Sequence, residues 1–310
     1  MNVLVTGASG FLGINVLERL LAQGHRVTAL SADALPELAY AALAGKPEEV
    51  KGDVGDGELL ERLLHNGAFD AVLAGAAITA GPERQREAPA EIIEVNLAAV
   101  ARLAALAAKH GVQRIVALSS SAAMGERLFG ERPVREEDAP QPATLYGITK
   151  AAIELLVAAA PGLRVARVAA VFGPWERATG VRDFMSPPFQ LARAAAQRRG
   201  VAPLPAGGAR DWVYAPYAAS VLEWLLTVPR TEHRLYNVGS GYVWHPRELT
   251  DALGLQMNGG EEIAFNDDVG RRRTFLAMDR VAREFAPPPA LREAVAAYAA
   301  WVAAHREWFA

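Results

Sequence analysis

Tyr146 and Lys150 stand four residues apart in Tyr146-Gly147-Ile148-Thr149-Lys150. On a helix, that spacing places a phenol and an ammonium on one face. A free tyrosine titrates at about 10, too high for a base at neutral pH. A nearby positive charge favours the phenolate, so Lys150 is expected to lower that value and make Tyr146 a general base. Upstream, Val116-Ala117-Leu118-Ser119-Ser120-Ser121 ends an apolar run in hydroxyls that can hold a substrate oxygen and share its proton with the phenol. Taken alone, the pair equally describes a half-buried tyrosine beside a solvated lysine.

A second pattern lies at the N-terminus. An apolar run at 3–6 leads into Gly7-Ala8-Ser9-Gly10-Phe11-Leu12-Gly13, a G-x-x-G-x-x-G spacing that follows a strand and opens a helix. Glycine is needed where the turn is tight and where the backbone must approach a pyrophosphate with no Cβ between them. The helix start offers free N–H groups and a partial positive charge to the phosphates. A ligand-free glycine turn is the bland alternative, and the strand–turn–helix setting weighs against it. About twenty residues further on, an acidic side chain is expected on the adenosine ribose. The second run ends Leu30-Ser31-Ala32-Asp33, so Ser31 holds the position directly after the strand and Asp33 lies two residues on. Asp33 serves equally well as a solvated loop aspartate or a ribose ligand. No arginine is near in sequence to meet a 2′-phosphate, so NAD is the expected cofactor, with NADP left open. Gly52-Asp53-Val54 closes another β-like segment and makes Asp53 a candidate for the adenine amino group. Ala74-Gly75-Ala76-Ala77 are small enough to let a cofactor lie against the backbone.

These groups need a scaffold. Apolar runs at 3–6, 26–30, 71–74, 114–119 and 164–168 read as buried strands, alternating with helix candidates at 13–23, 59–65, 92–110 and 146–159. Strand-to-strand links of that length require crossover helices, which predicts an α/β fold with a doubly wound parallel sheet. After about Val171, prolines and glycines cluster at 173–174, 187–188 and 203–208. The expected division is a Rossmann domain over 1–170 and a smaller C-terminal substrate-binding lobe over 171–310, interleaved with the last strands around 235–238. A packing helix is expected at 291–308.

The chain has 310 residues, 51% hydrophobic and 22% charged, with a net charge of −3 and no cysteine. Thiol catalysis, disulfides and cysteine-metal sites are excluded, and no metal is expected. The charge balance offers no field for nucleic acid or an anionic membrane. No signal peptide or membrane-spanning run is visible, which makes the cytoplasm the expected location.

At this point the chain resembles the extended short-chain dehydrogenase/reductases of the NAD-dependent epimerase/dehydratase type. The resemblance is carried by residues 6–13, Gly52-Asp53, 74–77, Val95-Asn96, 119–121, 146–150, Phe172-Gly173-Pro174, 210–214 and 236–240. It implies that Tyr146 is the acid/base, that Lys150 binds the nicotinamide ribose, and that Ser121 is the catalytic serine by its spacing to the tyrosine. It further implies cofactor contacts at Gly7, Ser9, Gly10, Phe11, Leu12, Gly13, Ser31, Asp33, Asp53, Val54, Ala74, Gly75, Ala76, Asn96, Ser119, Tyr146, Lys150 and Val171. Asn96 would support the active-site backbone. Substrate contacts fall at Ser121, Met124, Ala170, Arg177, Arg182, Arg210 and Arg271. The substrate expected is a small anionic molecule, since arginine forks bind phosphate or carboxylate. The resemblance also implies that the alanine- and leucine-rich helices at 90–110 and 146–159 pair across a two-fold axis in a homodimer, against the plainer explanation of alanine-rich coding.

Several positions depart from the family pattern. Ala170 replaces an asparagine that usually meets substrate, and Ala122-Ala123 replace the acidic pair of the dehydratases. Met124 replaces the tyrosine next to the following glycine, one residue earlier than in most relatives, which changes that wall of the pocket, and Pro216-Tyr217 replace an aspartate pair. The first reading is a sugar-nucleotide epimerase working through a transient keto intermediate. The second is a dehydrogenase or reductase of a smaller sugar acid or ketone, which Ala170 favours. A non-catalytic dinucleotide sensor ranks last, because the tyrosine–lysine pair is kept.

Overall fold

The computed structural model describes residues 1–205, 208–257, 259–264 and 271–310; residues 206 and 207 of the cluster at 203–208 lie outside these. The strands are β1 (Asn2–Thr6), β2 (Arg26–Ser31), β3 (Glu48–Lys51), β4 (Ala71–Ala74), β5 (Arg114–Ser120), β6 (Leu163–Val168), β7 (Ala170–Phe172), β8 (Trp212–Tyr214) and β9 (Leu235–Val238). Seven form one sheet in the order β3-β2-β1-β4-β5-β6-β9, all pairs parallel. The order reverses between β1 and β4, and ligands of open α/β sheets bind outside the carboxyl ends of the strands at such a point. β7 and β8 form a separate parallel pair.

The helices are α1 (Phe11–Ala22), α2 (Glu37–Ala42), α3 (Gly57–Gly67), α4 (Pro82–Glu87), α5 (Pro89–Ile93), α6 (Ala99–Lys109), α7 (Leu145–Leu156), α8 (Pro187–Ala196), α9 (Ala215–Thr227), α10 (Glu248–Ala252), α11 (Asp279–Glu284) and α12 (Leu291–Ala304). The continuous helix expected over 92–110 is interrupted: a π turn, Glu94–Ala98, separates α5 from α6. The last expected helix stops at Ala304 and is followed by a 3-10 turn, Arg306–Phe309.

Alternation along each strand sends neighbours to opposite faces. Val3 and Val5 join a core with Val16, Leu17 and Leu20 of α1 and Val221, Leu222 and Leu225 of α9. Leu4 joins the other face with Leu60, Leu103, Ala107 and Ile153. With both faces covered, the strands read as unbroken apolar runs. A third cluster around Phe172, Trp212, Trp244 and Tyr298 lies among the elements after β7. Although α9 and β9 come late in the chain, both pack on the main sheet. Among the described residues no helix is long and apolar enough to cross a membrane.

Candidate active site

The glycine turn is fixed by its own backbone. Gly7 takes φ +69°, and a Cβ there would lie 2.7 Å from the Ala76 backbone. A Cβ on Gly13 would lie 2.2 Å from the Gly7 carbonyl. Thr6, buried at the end of β1, accepts hydrogen bonds from Gly75 N (3.1 Å) and Ala76 N (3.3 Å) and donates to Leu73 O (3.2 Å). It thereby locks the small-residue segment after β4 against the turn. No side chain caps α1, whose first hydrogen bond runs from Ile14 N to Gly10 O. The N–H groups at Phe11, Leu12 and Gly13 therefore point from a positive helix end into the crevice. That cradle fits a dinucleotide pyrophosphate.

At the far end, Ser31 Oγ accepts from Ser9 N at 2.9 Å, so this hydroxyl braces the turn. Asp33 is exposed. Asp53 Oδ1 accepts from Gly55 N (2.7 Å) in a tight turn, and Val54 is buried in the core behind it. Ala74 is buried at the end of β4. Val171, half-buried, lies on β7.

Thr144 caps α7, accepting from Gly147 N at 3.1 Å, which places Tyr146 in the first turn and Lys150 one turn on. The Lys150 ammonium lies 5.5 Å from the centre of the Tyr146 ring and donates to Leu118 O at 2.9 Å. The serine close enough to the phenol to favour its anion is Ser120, not the expected Ser121, and the Ser120 hydroxyl also accepts from Ala122 N at 3.2 Å. Ser120 ends β5, whereas Ser121 opens a 3-10 turn beyond it. Counting back from Gly125 instead of from Tyr146 finds Ser120, and it also gives Met124 the ordinary place before that glycine. The residues after Ser120 are then Ser121-Ala122, still without carboxylates.

Burial raises the Tyr146 phenol above its usual value, opposed by the Ser120 hydrogen bond and the charge of Arg182. Burial also lowers Lys150 to about 8. The expectation that Lys150 depresses the phenol is thus corrected: the desolvated ammonium is itself weakened, and Ser120 and Arg182 supply the lowering influence.

Three further expectations change. Ser119 faces away from the crevice: strand alternation turns its hydroxyl to Glu154 Oε1 (2.6 Å) and Lys150 O (3.2 Å). Met124 is fully buried in the core with Val134 and Leu276, so it is not a pocket wall. Asn96 is fully buried in the π turn, where its amide accepts from Ile78 N (2.7 Å) and donates to Ile78 O (3.0 Å). It holds the segment after β4 without facing the crevice itself.

The arginines separate. Arg182 lies 5.7 Å over the Phe11 ring, near Tyr146, and pairs at 2.6 Å with Glu176. Arg177 reaches back to the glycine turn and donates to Ser9 O at 3.1 Å, away from its expected substrate role. Arg210 is half-buried beside Trp212. Arg271 is exposed, pairs with Glu126 at 2.7 Å and stacks 3.6 Å over Phe129 in the segment joining β5 to α7. Ala170, half-buried, starts β7, where its N–H donates to Asp211 O at 3.1 Å.

Sequence reading missed the network behind α7. Arg167 grips Glu154 through Nε–Oε1 (2.8 Å) and Nη2–Oε2 (2.6 Å), and donates from Nη1 to Asn237 Oδ1 at 3.1 Å. The signal was present: Arg167 interrupts an apolar strand, and Glu154 lies two turns after Tyr146 on the same face.

Residues 3–239 match the NAD dependent epimerase/dehydratase family. The chain belongs to that family. The UDP-glucose 4-epimerase of Corynebacterium glutamicum is 29% identical over 266 residues, covering 81% of this chain and 79% of that protein. Sterol demethylase protein B of Methylococcus capsulatus is 35% identical over 188 residues, 57% of this chain and 53% of that protein, so the chain spans about half of that relative's length. Among solved structures, MoeE5 in complex with UDP-glucuronic acid and NAD is 25% identical with a TM-score of 0.78, covering 98% and 99% of the two chains. The UDP-glucose 4-epimerase of Thermotoga maritima, solved with UDP-glucose, shares the fold at a TM-score of 0.81 and 20% identity, covering 98% and 99%. The glycine cradle is where the NAD of this family fits.

Proposed function

We propose that this protein is a nucleotide-sugar epimerase working through a keto intermediate, with Tyr146 as the acid/base and Ser120 as the catalytic serine. The observation that carries this reading is the Ser120–Tyr146–Lys150 group where β5 meets α7, beside the crevice opened by the glycine turn. The names of the Corynebacterium and Thermotoga relatives, and MoeE5 with its nucleotide sugars, support the substrate class. Arg182, Arg210 and Arg271 are the cations proposed for an anionic diphosphate.

Tyr146, as the phenolate favoured by Ser120, by the charge of Arg182 and by that of a bound oxidised nicotinamide, would remove the proton of a sugar hydroxyl while Ser120 holds the same oxygen. Lys150, with one N–H used on Leu118 O, keeps its others for the nicotinamide ribose. NAD held by the glycine turn and Lys150 would supply a reversible hydride acceptor for the sugar carbinol. After the keto sugar turns over, Tyr146 gives the proton back, so that no net redox change remains.

Residues 1–170 are proposed as the dinucleotide-binding domain, with the following lobe shaping the substrate side. A cytoplasmic homodimer is proposed, supported by Ile93, Ile148 and Leu155, which stand exposed on α5 and α7. The test is incubation with NAD and UDP-glucose or UDP-galactose, with sugar products followed by NMR and NADH by its absorbance. Epimer formed without accumulating NADH supports the proposal. Stoichiometric NADH would instead establish the second reading, a net dehydrogenase, which Ala170 favours because it offers no side-chain amide to a sugar.

A further inference from the structure

The adenosine end of the cradle carries an arginine that sequence distance hides. Arg177 lies far along the chain from the glycine turn, yet its Nη2 donates to Ser9 O at 3.1 Å, and its charge faces Asp33. Its Nε is buried and has no hydrogen-bond partner. That nitrogen is sealed from solvent, so a ligand would meet the guanidinium at Nη1, which is not buried and has no hydrogen bond to the described residues.

The segment holding Arg177 is anchored on both sides. Pro174 O accepts from Asn15 Nδ2 of α1 at 3.0 Å, and the buried Trp175 donates from Nε1 to Glu18 at 2.8 Å. Glu176 is fully buried, accepting from Arg182 (2.6 Å) and Ser186 Oγ (2.6 Å). The guanidinium is therefore held over the turn by its neighbours and does not depend on one flexible side chain.

The end of β2 supplies the complement. Enzymes that select NAD place a carboxylate there for the ribose 2′-hydroxyl, whereas those that take NADP bring an arginine to the 2′-phosphate. Here Ser31, small and uncharged, occupies that position, and Asp33 is exposed beyond it. We propose that Arg177 and Ser31 form a ribose 2′-phosphate site, so that the protein binds NADP(H) as well as NAD(H). Arg177 offers the planar donor fork that phosphate accepts. With a 2′-hydroxyl instead, Asp33 accepts from the ribose and Arg177 keeps only its bond to Ser9 O.

The inference rests on the dinucleotide occupying the glycine cradle and not on the substrate. Its test is equilibrium binding of NADPH, NADH, 2′,5′-ADP and 5′-AMP, read by cofactor fluorescence and calorimetry. The wild-type protein is expected to bind NADPH within about tenfold of NADH, a difference of ~1.4 kcal/mol. Arg177→Ala should weaken NADPH and 2′,5′-ADP by about tenfold or more while changing NADH and 5′-AMP by less than about threefold, as loss of a charged hydrogen bond predicts. Ser31→Asp should remove NADPH binding and keep NADH. Thermal melting confirms that each variant is folded. Equal weakening of all four ligands by Arg177→Ala would overturn the proposal, because Arg177 would then be serving the turn or the pyrophosphate. A wild-type preference for NADH beyond about a hundredfold would overturn it as well. Neither result bears on whether sugars are epimerised.

Discussion

Ser120 at the end of β5 lies close enough to the phenol of Tyr146, in the first turn of α7, to favour its anion, although 25 residues separate the two in sequence. The Ser119 hydroxyl is diverted to Glu154 and the Lys150 carbonyl, and Ser121 lies beyond the strand in a 3-10 turn that Ser120 caps. Ser120→Ala is therefore expected to lower kcat/KM by about a hundredfold or more, the range of a lost partner in proton transfer. Ser121→Ala should stay near wild type. Steady-state kinetics on both variants decide, and greater damage from Ser121→Ala would return the role to that residue.

Lys150 gives a pH test with two readouts. Its depressed value of about 8 means that its ammonium is charged and buried at neutral pH. A cation depressed in the folded state adds stability only above its unfolded value, and that contribution is lost as pH falls through about 8. Lys150→Met is accordingly expected to melt higher than wild type near pH 7, with the gap closing towards pH 10 to 11 as the unfolded lysine also loses its proton. The same variant should be inactive. Wild-type kcat/KM should decline as pH rises through about 8, where the ammonium discharges. A lower melting temperature for Lys150→Met at neutral pH would contradict this account.

The Arg167–Glu154 pair should behave as a buried ion pair that holds α7 to β6. Removing one partner leaves an uncompensated charge, so Glu154→Ala or Arg167→Ala should cost about 3–5 kcal/mol in denaturant unfolding. The double replacement Glu154→Leu with Arg167→Met should cost well under the sum of the single changes. Additive losses would show that the two side chains act separately.

Gly10 and Gly13 should separate binding from folding. A methyl on Gly13 meets two backbone carbonyls, Gly7 O at 2.2 Å and Ala8 O at 2.7 Å, so Gly13→Ala must push α1 off its turn and lower the melting temperature. At Gly10 the sole close atom is Gly7 O at 3.1 Å. Gly10→Ala should melt near wild type yet bind NADH at least about tenfold more weakly, since its methyl projects where the backbone must meet pyrophosphate. Melting and NADH titration of both variants check this; tight NADH binding by Gly10→Ala would move the pyrophosphate elsewhere.

The local parts of this protein were legible because they obey local rules. Mainly apolar runs gave β1, β2, β4, β5 and β6 to within a residue or two, since strands covered on both faces carry little polar alternation, and β9 falls where a late strand is expected around 235–238. The glycine turn and the Tyr146–Lys150 spacing are likewise statements about one strand–turn–helix and one helix face. Short β3, largely exposed, and α2, with Ala39 its one buried residue, left weak signals. The π turn at Glu94–Ala98 was hidden because it exists to let Asn96 reach Ile78, eighteen residues away.

What only the tertiary structure decided were relations between distant segments. Which serine meets Tyr146 depends on where β5 ends and how the 125–141 segment returns to α7, and residue counting placed it one position off. Arg177 appears in sequence as a loop charge, yet packing of Trp175 and Pro174 against α1 carries it to Ser9. Ser119 and Ser120 are chemically identical and differ in role because a strand sends successive side chains to opposite faces. Sequence specifies the groups; folding chooses which of them share a crevice, because desolvation and hydrogen-bond geometry act only once the segments have been brought together.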